Sequence, residues 1–113
     1  AFCWTAMIRQ PDFVDDEVFG WACDQVRLKK KLDPSAARRL TLAEGLCVQC
    51  MHIGPYDAEP DTVRRMERFA EENGYCPDFC AGRRHHEIYL GDPRKTAPER
   101  LRTVIRHPVR GKR

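Results

Sequence analysis

His85-His86-Glu87-Ile88-Tyr89-Leu90-Gly91-Asp92-Pro93 is the stretch that decides how this chain folds. Side chains alternate along a strand, so His85, Glu87 and Tyr89 share one face while His86, Ile88 and Leu90 share the other. A half-buried strand of this kind turns Ile88 and Leu90 under a helix and leaves Glu87 beside Tyr89 facing a cleft. A ring face next to an anion attracts cations, which suits a pocket for a flat or cationic molecule. A surface glutamate beside a packed tyrosine would be spelled the same way.

Neighbouring segments supply partners for that strand. Residues 46–53 carry Leu46, Val48 and Cys50 on one face and Cys47, Met51 and Ile53 on the other, and apolar side chains on both faces predict a central strand. Residues 101–109 predict a final strand, with Leu101, Thr103 and Ile105 on one side. Between them Val63, Met66, Phe69 and Ala70 recur at helical spacing over residues 60–73, with Pro60 in the first turn and Asn73-Gly74 as a left-handed stop. Residues 75–84 read as a loop. The apolar strand faces cannot be buried separately, so one antiparallel sheet under this helix is expected, with Val63, Met66 and Phe69 in its core.

Residues 2–10 read as a strand that stops at Pro11. A helix follows, with Asp15, Asp16 and Glu17 in its first turn and Lys29, Lys30 and Lys31 in its last, the order the helix dipole favours. Val14, Val18, Ala22 and Val26, with Phe19 and Cys23 alongside, form a stripe expected to be buried. Trp21 lies off the stripe, as ordinary packing or as a pocket wall. Asp33-Pro34-Ser35 ends the helix, and residues 39–44 read as a strand edge turning at Gly45. The order strand, helix, strand, helix, strand, strand predicts an α+β fold, helices layered on a mainly antiparallel sheet.

With 113 residues, 42% of them hydrophobic, the chain can bury one modest core. Its opening is already apolar and strand-like, which suggests that an N-terminal portion is missing. No apolar run approaches the roughly 20 residues of a bilayer span and nothing resembles a signal peptide, so no membrane partner and a cytoplasmic location are expected. Long amphipathic helices favour six reduced thiols over a disulfide framework. The excess of 20 Lys+Arg over 17 Asp+Glu leaves only +3, too little for a strong nucleic-acid binder.

Cys47-Val-Gln-Cys50 and Cys76-Pro-Asp-Phe-Cys80 have the look of zinc knuckles. Positions i and i+3 of a strand face opposite ways, however, so Cys47 and Cys50 act as small hydrophobes there. Cys76 and Cys80 escape that objection and could pair or ligate on their own. Adjacent strand residues such as His85 and His86 cannot both aim at one metal. No metal and no cofactor are expected, and no phosphate loop, nucleophile elbow or HExxH motif is present.

Several linked motifs, taken in order, carry a resemblance over nearly the whole chain. Trp4-Thr5-Ala6-Met7-Ile8-Arg9-Gln10-Pro11-Asp12-Phe13-Val14, Glu44-Gly45-Leu46-Cys47-Val48-Gln49, Met51-His52-Ile53-Gly54-Pro55-Tyr56, His85-His86-Glu87-Ile88-Tyr89-Leu90 and Asp92-Pro93-Arg94-Lys95-Thr96-Ala97-Pro98-Glu99 resemble the stand-alone branch of the GyrI-like small-molecule-binding proteins. The resemblance implies two strand-helix-strand-strand modules related by a pseudo-two-fold, with a ligand cleft between them. On that pattern residues 1–38 hold the last strand and linking helix of an incomplete first module, and residues 39–113 the whole second one, within one domain. Cys50 stands where the family carries an aliphatic residue, which favours an incidental thiol.

The resemblance further implies an aromatic-lined cleft around one acidic residue, and Glu87 holds the matching position. Tyr56, Tyr89, Trp4, Trp21 and His85 are the candidate ligand-binding residues. Some stand-alone members hydrolyse cyclopropane rings of DNA-alkylating natural products, a detoxification reaction. Others hold lipophilic, planar or cationic drugs without chemistry, as the effector-binding domains of multidrug-sensing regulators do. A carboxyl desolvated among aromatics serves either end, as acid or base or as anchor. A non-catalytic effector or protein-interaction module is the rival reading, and a homodimer is among the partners the resemblance allows.

Overall fold

In the computed structural model, residues 3–112 are described. They fall into two compact units, Ala1–Thr41 and Leu42–Arg113.

In the first unit, residues 3–10 form no strand. Extended backbone becomes a strand only against a partner, and this lone segment pairs with nothing among the described residues. Phe2, also expected in that strand, lies outside them. Helix α1 (Asp16–Gln25) begins where the charges predicted, with the Asp15 carboxylate accepting from the Val18 amide at 2.9 Å. A π-helical turn (Val26–Lys30) carries the chain on to Lys31, whose left-handed φ of 57° ends it. Val18, Phe19, Ala22, Cys23 and Val26 are half-buried and no residue of α1 is fully buried, so the expected stripe is present but only partly covered.

The second unit is an open, four-stranded antiparallel sheet with one long helix, and the chain as a whole is α+β. Its strands are β1 (Cys47–Ile53), β2 (Tyr75–Pro77), β3 (His86–Tyr89) and β4 (Arg102–Gly111). The central strand is β4, not β1 as the sequence suggested: β1 runs along one side of β4, and β3 and then β2 pair along the other. Pro108 is tolerated at the centre because its missing N–H falls between the stretch paired with β3, which ends at Arg106, and the stretch paired with β2, which begins at Val109. Its carbonyl still accepts from the Asp78 amide at 2.9 Å.

Two expected elements differ. Residues 39–44 are irregular. The predicted loop after Gly74 opens with β2, which is too short to show a period and contains a proline.

Helix α2 (Glu59–Glu72) packs mainly on β1 and β2 and stops at Gly74, with φ of 86°. Thr62, Met66 and Ala70, every fourth residue, are buried against the sheet, where Leu101, Thr103, Ile105, His107 and Val109 form the facing row. Val63 is half-buried, but Phe69 is 61% exposed, which overturns its place in the core. The contacting row steps by four residues, so position 69 lies about 100° to the side of Ala70 and points past the sheet.

Arg83 ties the loop before β3 to the rest. It donates to the carbonyls of Glu44 at 2.9 Å and Leu46 at 2.5 Å and pairs with Asp78. Gly45, at φ +67°, lies flat against the guanidinium, where a Cβ would meet it at 3.3 Å. A lysine offers one compact donor group in place of this fork. Arg83→Lys is therefore expected to lower unfolding stability by about 1–3 kcal/mol in urea titration; a change within experimental scatter would mean that the carbonyls are satisfied without it.

Candidate functional site

Register decides which side chains meet. Glu87 pairs with Ile105 and Tyr89 with Thr103, so both carboxyl and phenol stand on the same side of the sheet as α2. This reverses the sequence expectation that Ile88 and Leu90 would take the helix-covered face. Ile88 lies opposite Val104 on the other face, half-buried, and Leu90 is exposed. The inner face accepts polar groups at β3 because α2 lies chiefly over β1 and β2.

Around Glu87 the chain then builds outward. His52, at the end of β1, is buried and bonds Thr62 Oγ1 at 2.7 Å through Nδ1 and the Pro55 carbonyl at 2.8 Å through Nε2. A carbonyl only accepts, so the neutral ring carries its proton on Nε2, and the Thr62 hydroxyl donates to Nδ1. These two bonds lock the turn holding Tyr56 to the first turn of α2. Tyr56 in consequence meets Tyr89 edge to face, ring centroids 5.7 Å apart at 70°.

Glu59, from the same turn of α2, faces Glu87. Its Oε2 is buried without a hydrogen-bond partner. Burial raises its pKa above the usual carboxylate range, and the nearby charge of Glu87 acts the same way, with His52 and His85 opposing. Burial also raises the Tyr89 phenol, followed by the charge of Glu87, so the hydroxyl keeps its proton.

From Glu87 two imidazoles, His85 at 43% exposure and the buried His107, lead on to α2. His85 Nε2 bonds Glu87 Oε2 at 2.7 Å, and His85 Nδ1 bonds His107 Nε2 at 2.7 Å. The two rings cross edge to face at 4.8 Å, and Phe79 covers His107 at 5.1 Å. His107 Nδ1 stands 3.6 Å from Glu67 on α2.

Burial, then His85, lowers the His107 pKa, against the pull of Glu67 and Glu87. The folded chain thus binds fewer protons here than the unfolded one. The contribution is full above the unfolded value of about 6.5 and is lost as pH falls through the lower folded value. Wild-type protein is expected to lose urea resistance between about pH 7.5 and about pH 5.5, and His107→Gln to lose less over that range; parallel pH profiles would remove His107 from the account.

A concavity of about 510 Å³ lies against Tyr56, Asp57, Glu59, Pro60, Val63 and Arg64. Glu59 lines it and Glu87 does not; the Glu87 side chain is 22% exposed. Of the residues singled out from sequence, Tyr56, Tyr89, His85 and Glu87 are brought together. Trp4 and Trp21 lie in the first unit, 76% and 63% exposed. Glu59 and His107 were missed. Glu59 carries no periodic signal at the head of a helix, whereas His107 continues the alternating row of Leu101, Thr103 and Ile105 and so was open to detection.

Cys47 and Cys50 pair with Pro108 and Ile105 and so face opposite ways, and all six cysteines are free. Among the described residues no group of three or more His, Cys, Asp or Glu could hold a metal ion, and no helix is long and apolar enough to cross a membrane.

The GyrI-like small molecule binding domain matches residues 2–110 of this sequence. The chain belongs to the GyrI-like family. Among solved structures, it is similar to a hydrolase from Listeria innocua, at 47% identity and a TM-score of 0.85 over 90% of this chain and 52% of that one. It is equally similar to an uncharacterized conserved protein from Listeria innocua, at 48% identity and a TM-score of 0.85 over 90% of this chain and 50% of that one. This GyrI-like chain therefore spans about half the length of these relatives. No curated protein matches it.

Proposed function

We propose that this GyrI-like small-molecule-binding chain takes up lipophilic, planar or cationic molecules and opens carbonyl-conjugated cyclopropanes by adding water. The observation that carries the reading is a pair of carboxyls in unequal surroundings, Glu59 with a buried, unbonded oxygen and Glu87 hydrogen-bonded by an imidazole. Unequal carboxyls divide acid from base. Glu59, whose carboxyl burial pushes above its ordinary pKa, is the acid; Glu87 is the base.

In this reading the flat ligand lies on the Tyr56 and Tyr89 rings. Glu87 removes a proton from a water as its oxygen bonds to the ring methylene. The strained carbon–carbon bond breaks, and its electron pair passes through the conjugated system to the carbonyl oxygen, which takes the Glu59 proton. The step leaves a proton on Glu87 and takes one from Glu59, so proton exchange with the surroundings resets the pair. The Listeria innocua relative described as a hydrolase supports the catalytic part.

Incubating the full protein with a cyclopropane-bearing alkylator and weighing the products tests the proposal. A product heavier by one water, formed catalytically, is expected. Saturable binding of cationic dyes with the alkylator unchanged would favour the rival, an effector-binding module without chemistry.

A further inference from the structure

Three histidines have a partner near each ring nitrogen, and their partners differ. His52 is closed at both ends, by a hydroxyl and by a carbonyl that can accept a proton's bond but cannot take the proton. His85 and His107 are not: the run Glu87, His85, His107, Glu67 consists of titratable groups alone. One end is at the carboxyl pair. The other is on a glutamate whose side chain is 49% exposed.

A packing role accounts poorly for this run. His107 occupies an apolar row between Ile105 and Val109 and is only 7% exposed, so an aliphatic residue there would avoid the cost of burying two ring nitrogens. Its partner His85 is likewise committed to Glu87 instead of to a backbone group.

We propose that His85 and His107 form a proton path that joins the Glu59–Glu87 carboxyl pair to solvent at Glu67. The proposal rests on the acid–base reading of that pair and adds to it how the pair gains or sheds its single shared proton.

The transfer balances bond by bond. At rest His85 donates from Nε2 to the Glu87 carboxylate and accepts at Nδ1 from His107 Nε2–H, leaving His107 Nδ1 bare toward Glu67. A proton arriving from solvent at Glu67 passes to His107 Nδ1. The Nε2 proton of His107 then moves to His85 Nδ1, and the Nε2 proton of His85 moves to Glu87. One proton has entered and one has been delivered, and every hydrogen bond has reversed its direction. The 3.6 Å step from Glu67 is closed by rotation of that exposed side chain.

The groups facing His107 are few. They are Glu67 from α2, His85 and Glu87 from the β3 side, and the unionisable Phe79 ring, while Val48 opposes it on β1. Glu71 and Lys112 line the same small concavity of about 270 Å³ as His107 and Glu67, and they pair with each other at 3.8 Å. That concavity gives a free imidazole a way to the ring.

Nitrogen NMR on histidine-labelled full protein reads the path without any substrate. At about pH 8 both rings are expected to carry their proton on Nε2, and Glu87→Gln should shift the His107 nitrogen signals as well as those of His85. A proton on Nδ1 of either ring, or a His107 signal indifferent to Glu87→Gln, would overturn the path. With a carbonyl-conjugated cyclopropane as probe, His107→Ala should lower kcat by about tenfold or more with KM unchanged, and added imidazole should restore it. A loss that imidazole leaves untouched would also overturn it. His107→Gln, which keeps the side-chain volume, repeats the kcat measurement if the alanine variant unfolds. If the probe is turned over by no variant, including wild type, the hydrolase reading fails while the NMR result still decides the path.

Discussion

Glu87→Gln is expected to lower turnover of a carbonyl-conjugated cyclopropane by about 10²–10⁴-fold and to leave its KM largely unchanged. The amide keeps size and shape but can no longer take a proton from water, so the loss belongs to the transition state and not to binding. Glu59→Gln should cost about as much, because an amide gives the developing enolate oxygen a hydrogen bond without giving it a proton. The two losses should not add, since each removes one member of a pair that shares its proton. Binding separates the anchor from the catalyst. Were Glu87 only a cation anchor, Glu87→Gln would weaken cationic dyes far more than neutral dyes of the same shape and leave turnover unaltered. Kinetics on the alkylator beside titrations with the two dyes measures both, and no response in any of the three would make Glu87 ordinary surface.

Alternation was legible and its direction was not. The letters of residues 85–90 place Glu87 and Tyr89 on one face, and the structure keeps them there. Which face meets the helix depends on where β3 pairs along β4, a contact between residues 18 positions apart in the case of Glu87 and Ile105. No local pattern holds that information. For the same reason the doubly apolar residues 46–53 suggested a central strand, when the centre is β4, which hides a proline at a gap in its pairing. At the site, Tyr56, Tyr89 and His85 were found through family resemblance and strand alternation together. Glu59 was not, because its burial comes from the His52 bonds that fold the turn back onto the sheet.

The helix–sheet contact yields the largest stability effect, and it falls on Met66 and not on Phe69, which periodicity ranked with it. Met66 is 2% exposed and sits in the row with Thr62 and Ala70, over a sheet face whose Ile105 is 0% exposed. Met66→Ala removes a thioether chain from between two rigid layers that cannot close the gap, so a loss of about 2–5 kcal/mol is expected. Phe69→Ala removes a larger side chain, yet its ring is already mostly in water. Little transfer free energy is at stake there, and less than about 1 kcal/mol should be lost. Urea unfolding of both variants, with unchanged slopes, measures the contrast. Equal losses would mean that Phe69 is covered in solution, and the four-residue row that positions Glu59 over Glu87 would need to be redrawn.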